Sequence, residues 1–553
     1  MNSSENKNLV LAMVLMLAVW LGFSFFFPPE PKNQQQTVEK PAAQPADVTN
    51  VQEQPVRTPG AIEAQMESVA DAASVPTTET YAPAREIAVD TDKYQAVFTT
   101  QGARLISFKL KEYKATADKN APPVQMLESG PLRYSTLRTT GSEGFLLSED
   151  ANFETDSPEV VEIADGGQVT IRFQHVAANG IKYVKTFLIR GDGYMIDLGF
   201  ELSNTTTTPQ RGTINLALVQ RWDESYESGG YLDSDSYSFS GPATLIKDKI
   251  QEVDTDDLKE GSVVYNQDIV WTSFQTKYFL AVVVPAEKTV EKVQISRDNS
   301  AIENLLETPY FTLEGGEHRQ LDYLVYIGPK EPEPLTAAGH QLDKVVSFGF
   351  FNLLAQPLFV VLTFFYGFFK NYGVAIILLT VLIKIIFWPL THKSYSSMKS
   401  MQKLQPEMQK LREKFKNDKE RLNKEMMTLY KTHRVNPLGG CLPMLVQIPV
   451  FFALYQVLLN SIALRHAPFA FWLTDLSAKD PYYITPILMG ASMFVQQKMT
   501  PTTADPMQAK IFMMMPIVFT FMFLNFPSGL VIYWLVNNLL TILQQYFIHR
   551  KAT

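Results

Sequence analysis

Five long apolar runs crowd into the C-terminal part of the chain, at 371–390, 441–464, 483–499, 511–526 and 528–548. A helix needs roughly 20 apolar residues to cross about 30 Å of hydrocarbon. Lipid offers the backbone no hydrogen-bond partners, so a spanning chain must be helical or form a closed barrel. A sixth run, 9–27, holds 19 residues without a charge. A cleaved signal peptide is its competing reading. The run ends in Phe25-Phe26-Phe27-Pro28-Pro29, with no small-residue cleavage site and no lipid-accepting cysteine, which favours an uncleaved N-terminal anchor. The fold class imposed is a polytopic α-helical membrane protein with six spans.

Composition hides this arrangement. Over 553 residues the chain is 46% hydrophobic and 19% charged, as in an ordinary soluble protein. Residues 28–350, however, hold 28 Lys and Arg against 48 Asp and Glu, a balance of −20. Residues 391–440 hold 12 against 5, a balance of +7. The 465–482 loop carries only Arg465 and Lys479, while the 549–553 tail carries Arg550 and Lys551. Basic short loops stay in the cytoplasm, so 391–440, the 500–510 loop and both termini are expected inside, with 28–350 and 465–482 outside. The 331–370 stretch is apolar but broken by Asn352, Gln356, Pro357 and Gly367, and reads as an interfacial amphipathic helix. Counted as a span, it would reverse everything before it. Cys441 is the only cysteine, which excludes an internal disulfide framework. The acidic large block argues against a nucleic-acid substrate.

Outside the membrane, 28–84 is a Pro-, Gln- and Ala-rich linker without periodicity. From Tyr94 onward the pattern has period two, as in 96–99, 104–110, 169–173, 181–189, 194–202, 214–219 and 321–327. Turn signals such as Asn179-Gly180 and Gly191-Asp192-Gly193 separate several of these segments. A large antiparallel sandwich over 85–330 is expected. Trp222, Tyr226, Tyr231 and Tyr237 read either as a carbohydrate-stacking surface or as ordinary strand and edge aromatics. His175 and His318 sit in no catalytic motif.

In the 391–440 loop, Met398, Met401, Leu404, Met408, Leu411 and Phe415 recur at spacings of three or four, as do Leu422, Met426 and Leu429. This predicts a helical hairpin with one apolar seam, started or kinked at Pro406. Methionine adapts to varied apolar partners, so Met398, Met401, Met408 and Met426 are candidates for contact with substrate or partner. The competing reading is a topogenic basic loop with solvated helices. Within the five C-terminal runs, Lys384 is the clearly intramembrane charge, and no Asp or Glu lies in them to pair with it. Such a charge costs roughly 2.5–3.5 kcal/mol at a helix centre on insertion scales. Lys384 either snorkels to the cytoplasmic surface or lines a wet cavity, with Thr380 one turn away and Gln447, Asn537 and Asn538 as polar partners. The missing acid argues against a proton-relay transporter.

The motifs WPLTHKSYSSMKSMQKLQPEM (388–408), NPLGGCLPMLVQIPVFFALYQ (436–456), FWLTDLSAKDPYYITPILMG (471–490), QQKMTP (496–501) and FPSGLVIYW (526–534) resemble the YidC-type membrane protein insertases of the Oxa superfamily. The resemblance spans the whole chain and matches the Gram-negative form, with its extra first span and periplasmic β-supersandwich. It implies an inner-membrane insertase and chaperone with a hydrophilic groove open to the cytoplasm and to lipid. The groove would admit the polar end of a nascent segment while its apolar span passes into lipid. Groove candidates are then Lys384, Thr380, Gln447, Tyr533, Trp534 and Asn537. Lys384 stands where the family usually carries arginine, which keeps the charge but loses the planar fork. Nascent inner-membrane proteins, membrane lipid and the Sec translocon are the implied partners, with the ribosome and the signal-recognition-particle receptor as further candidates. The short tail does not support ribosome docking through a long basic extension. No cofactor, metal or nucleophile is implied, so the chain is expected not to be an enzyme. A secondary transporter and a membrane-anchored periplasmic glycan-binding protein are the alternatives.

Overall fold

The computed structural model of the protein describes residues 84–127, 130–222, 239–298, 300–346, 348, 351–416, 418–433, 435, 442–499 and 506–550. The 9–27 run, residues 28–83, and Tyr226, Tyr231 and Tyr237 lie outside the described residues. Residues 82–260 and 264–553 form one compact unit.

The period-two segments become strands. Along Met195–Asn204, Ile196, Leu198, Phe200 and Leu202 are buried at every second position, because successive side chains leave opposite faces of a strand. Ile181–Arg190 pairs with it antiparallel, setting Phe187 against Leu198 and Ile189 against Ile196. Gly180, at φ +80°, makes the turn into Ile181–Arg190 in the left-handed region glycine enters freely. These strands belong to an eight-stranded sheet. Its spatial order is Lys249–Glu252, Gly241–Ile246, Ile269–Gln275, Phe279–Pro285, His318–Pro329, Met195–Asn204, Ile181–Arg190 and Gln168–Val176.

Side chains join this sheet to its neighbours. Phe98 of Tyr94–Thr99 meets Phe187 at 4.6 Å between ring centroids. Asn304 of Ala301–Glu307 donates to Thr272 Oγ1 (2.8 Å) and Ser273 O (2.9 Å). Among the described residues the expected antiparallel arrangement has one exception, a parallel pair between Glu86–Thr91 and Val160–Ile163. Parallel neighbours need a long connection, and residues 92–159 supply it. Trp222 is 4% exposed, packed edge-on against Phe274 and beneath Arg297, so it is a core residue and offers no stacking surface to a sugar.

After the short helix α1 (Pro332–Ala338) come α2 (Asn352–Phe369) and α3 (Tyr372–Lys403). In α2, Ala355 and Leu362 are buried, while Leu353, Val360, Phe364 and Phe368 are exposed. Its exposed surface is largely apolar, interrupted by Gln356, so the helix is less sharply two-faced than the sequence suggested. Lys370 ends it in the left-handed region, at φ +50°. The Asn371 side chain then accepts from Val374 N (3.1 Å) and caps α3.

α3 runs for 32 residues, about 48 Å at 1.5 Å per residue. It passes through Pro389 without ending, so the helix runs on beyond Leu390, the expected end of the span. The first hairpin arm is partly a continuation of this helix. α4 (Gln405–Lys414) restarts at Pro406, where an absent N–H costs little. α5 (Lys419–Thr432) is capped by Asp418, which accepts from Arg421 N (3.0 Å).

α6 (Leu442–Asn460), α7 (Ile484–Met499), α8 (Pro506–Phe523) and α9 (Ser528–Arg550) complete the chain. By length and composition, three described helices can cross a membrane: α2, α3 and the Ser528–Ile548 part of α9. Ile376 and Leu379 of α3, Leu454 and Leu458 of α6, Met489 of α7, Phe523 of α8 and Val531 of α9 share one buried core. A Cβ on Gly490 would fall 1.9 Å from Thr520 Oγ1, so α7 and α8 approach closely only because position 490 is glycine.

Candidate functional site

A ladder of polar side chains links three helices of this bundle. Lys384 of α3 is half-buried, and its Nζ donates to Thr541 Oγ1 of α9 (2.7 Å). The Thr541 hydroxyl in turn donates to Asn537 O (2.7 Å), one helical turn earlier. Gln447 Nε2 of α6 donates to Asn537 Oδ1 (3.0 Å). Lys384, Gln447 and Asn537, all expected from the sequence, are thus brought together, with Thr541 as the joint between them. Thr541 was not singled out from the sequence, although it lies four residues after Asn537 and so on the same helix face. A second missed contact lies further along α3 and α9, where Gln544 Nε2 donates to Thr391 Oγ1 (2.7 Å).

Other candidates go elsewhere. Thr380 is 1% exposed and donates to Ile376 O (2.6 Å), so its hydroxyl proton stays within α3. Asn538, 3% exposed, donates to Ser492 Oγ (3.1 Å) and ties α9 to α7. Tyr533 is buried beside Phe451. Trp534 packs edge-on against Phe451 at 4.7 Å and also against Phe519 and Phe523. Trp534 builds the junction of α6, α8 and α9, while the Tyr533 hydroxyl lies against Gln447, at the edge of the ladder. Adjacent helical residues point about 100° apart, and the sequence does not say which direction meets a neighbour.

In the hairpin, Met401 and Met408 are buried, and Tyr430 Oη reaches Met408 Sδ at 4.0 Å. Met408 closes the seam between the arms, and neither of these two methionines presents a surface to a partner, contrary to expectation. Met398 and Met426 remain half-buried. The exposed methionine is Met427, one residue from the expected position.

The 465–482 loop is tightly folded at the α3 and α9 N-termini. Asn371 Nδ2 donates to Phe469 O (2.9 Å), and Ser528 N and Gly529 N donate to Ala478 O and Leu476 O. Asp480, 1% exposed, accepts from Thr485 N (2.7 Å), Thr485 Oγ1 (2.8 Å), Tyr482 N (2.9 Å) and Trp472 Nε1 (3.0 Å). Burial opposes its ionised form, but these donors outweigh it and hold the carboxyl below the usual carboxylate range. Arg465 donates to Lys114 O (2.7 Å) and Ala115 O (3.2 Å) and lies over the rings of Tyr278 and Phe279.

Family models match both halves of the chain: "YidC periplasmic domain" over residues 86–361 and "60Kd inner membrane protein" over residues 364–553. The "Membrane protein insertase YidC" of Citrifermentans bemidjiense is 44% identical over 566 residues, covering 99% of each chain. That of Geotalea daltonii is 42% identical over 547 residues, again covering 99% of each. A crystal structure described as an active YidC insertase with its first transmembrane domain resolved aligns with 84% of this chain and 92% of that one. The alignment is 17% identical with a TM-score of 0.35, too low to carry fold detail. On two relatives matched end to end at above 40% identity, the chain belongs to the YidC family of membrane protein insertases.

Proposed function

We propose that this insertase receives the polar flank of a nascent membrane segment against Lys384, while the segment's apolar part leaves through lipid-facing helix surfaces. The observation that carries the reading is a cation without an acid. Lys384 bonds a neutral hydroxyl, and the five C-terminal runs contain no Asp or Glu. Next to it on α3, Ile385, Ile386 and Trp388 are exposed, as are Ile487 and Leu488 on α7. A polar ladder beside bare apolar surface suits a substrate that is polar at one end and apolar along its span. Burial of that span supplies the driving force, roughly 25 cal/mol per Å² of apolar surface. Insertion breaks no covalent bond, and the protein is not an enzyme.

The periplasmic domain supports one orientation for the rest. α2 follows that domain directly, and the basic 391–440 hairpin lies at the far end of α3. If α2 crossed the membrane, α3 would begin inside and carry 12 basic residues outward. α2 therefore stays at the outer interface, the hairpin and both termini are cytoplasmic, and the membrane is the bacterial inner membrane. Nascent membrane proteins are the substrates of an insertase. The Sec translocon, the ribosome and the signal-recognition-particle receptor enter as partners through family resemblance, and Met398, Met426 and Met427 as the hairpin's contact surface.

The test uses purified protein in liposomes and substrates that differ only in the charge of the translocated tail. Lys384→Ala should slow acidic tails more than neutral ones. Lys384→Glu should be severely defective, because it reverses the field at close range, whereas Lys384→Arg should keep function. An alanine variant equal to wild type on every substrate would remove Lys384 from the mechanism.

A further inference from the structure

We infer that Thr541 is the positioning residue of the Lys384 cation, holding the ammonium within the ladder instead of letting it extend to water. The inference rests on the reading of Lys384 as the charge that meets substrate.

A threonine hydroxyl has one proton and two lone pairs. At Thr541 the proton goes to Asn537 O, 2.7 Å away, so toward Lys384 the oxygen can only accept. Nζ sits 2.7 Å from that oxygen. Three further helix threonines provide the contrast. Thr380, Thr391 and Thr520 make the same bond to the carbonyl four residues back, at Ile376, Phe387 and Pro516. Of these, Thr391 also accepts from the Gln544 amide, but Thr541 is the one recorded accepting from a cation.

Lysine's four-carbon stem lets an unrestrained ammonium reach for water, and the cytoplasmic end of the 371–390 run is only six residues beyond Lys384. The bond to Thr541 opposes that extension. It pins the charge beside Asn537, whose side chain is itself held by Gln447 from α6. An ammonium has three protons. Thr541 takes one and leaves the others for carbonyls or carboxylates of an incoming polar flank.

Thr541→Val keeps the side chain's shape and removes the acceptor. In the proteoliposome assay at matched protein amounts, Thr541→Val should insert acidic-tailed substrate about tenfold more slowly, the scale of a lost hydrogen bond to a charged group. Neutral-tailed substrate should change by less than about twofold, within the scatter of a neutral packing change. Thr541→Ser should restore the rate. Added to Lys384→Ala, Thr541→Val should cause no further loss, because the bond is already gone.

The inference is overturned if Thr541→Val matches wild type on acidic tails. It is equally overturned if Thr541→Val slows both tail types alike or adds in full to Lys384→Ala. Should Thr541→Val and Thr541→Ala both lose folded protein, melting in the Lys384→Ala background decides. A loss that disappears there supports the positioning bond, and one that persists makes Thr541 a packing residue. If Lys384→Ala leaves every substrate unaffected, the groove reading itself fails, whatever Thr541 does.

Discussion

Asp480 governs the loop that locks the N-terminal ends of α3 and α9, the two helices carrying Lys384 and Thr541. Its carboxylate gathers four donors, from Trp472, Tyr482 and twice from Thr485. Hydrogen bonds to a buried charge are worth roughly 1.5–3 kcal/mol each when one partner is lost. Asp480→Asn keeps the size but replaces one acceptor oxygen with a donor nitrogen facing other donors. It should cost about 2–3 kcal/mol, read as a lower melting temperature in detergent. The pH dependence has a definite sign. Because the folded carboxyl is held below its usual range, its stabilisation is complete above the unfolded value of about 3.9. It is lost as pH falls through the folded value. The gap in stability between wild type and Asp480→Asn should therefore be widest near neutrality and close in acid below about pH 4. A gap that stays constant into acid would mean that the charge of Asp480 does not stabilise the loop.

Among the elements, α2 decides the topology, because its position at the interface or across it sets the side of everything attached. Cys441 is the single native cysteine, so a Cys441→Ser background allows one thiol to be placed at a time. An impermeant thiol reagent on spheroplasts should label cysteines at Leu353 and Lys370, the two exposed ends of α2, and leave one at Ser400 unlabelled. Labelling at Ser400 with protection at Lys370 would invert the arrangement. The sequence made most elements readable wherever period and environment agree. Alternation along 194–202 marked a strand with one buried face, and Met401, Leu404 and Met408 marked the hairpin seam. It failed where a helix changes environment without changing conformation. α3 is apolar to Leu390 and two-faced beyond it, and Pro389 sits at that change, so a single helix reads as two. Site residues followed the same logic. Lys384, Gln447 and Asn537 are conspicuous as polar residues in apolar runs, whereas a threonine such as Thr541 is common in helices that bond their own carbonyls. Tyr533 and Trp534 could be assigned only once α6 and α8 were in place.

At the scale of the whole molecule, the polar ladder lies entirely in α3, α6 and α9, while the periplasmic domain contributes no residue to it. Core insertion should therefore survive loss of that domain, provided the cut respects how the sheets are built. Removing 94–307 would be a poor choice. It would take away Phe279–Pro285 and Met195–Asn204, the two neighbours of His318–Pro329. The orphaned strand would expose Leu321, Tyr323, Val325 and Ile327, all buried in the intact sheet, and unpaired apolar strands invite aggregation. Removing 86–329 takes out the sandwich as a unit and releases mainly polar contacts: those of Arg465 with Lys114, Ala115, Tyr278 and Phe279, of Glu331 with Tyr113, of Lys330 N with Tyr278 O and of Lys344 with Asp248 O. In a host depleted of its own insertase, the 86–329 deletion should support growth at near-normal membrane levels. The 94–307 deletion should accumulate less and grow worse. If the 86–329 deletion is abundant and its helices remain folded, yet a reconstituted substrate fails to insert, the periplasmic domain takes part in the core reaction and the ladder is not sufficient for it.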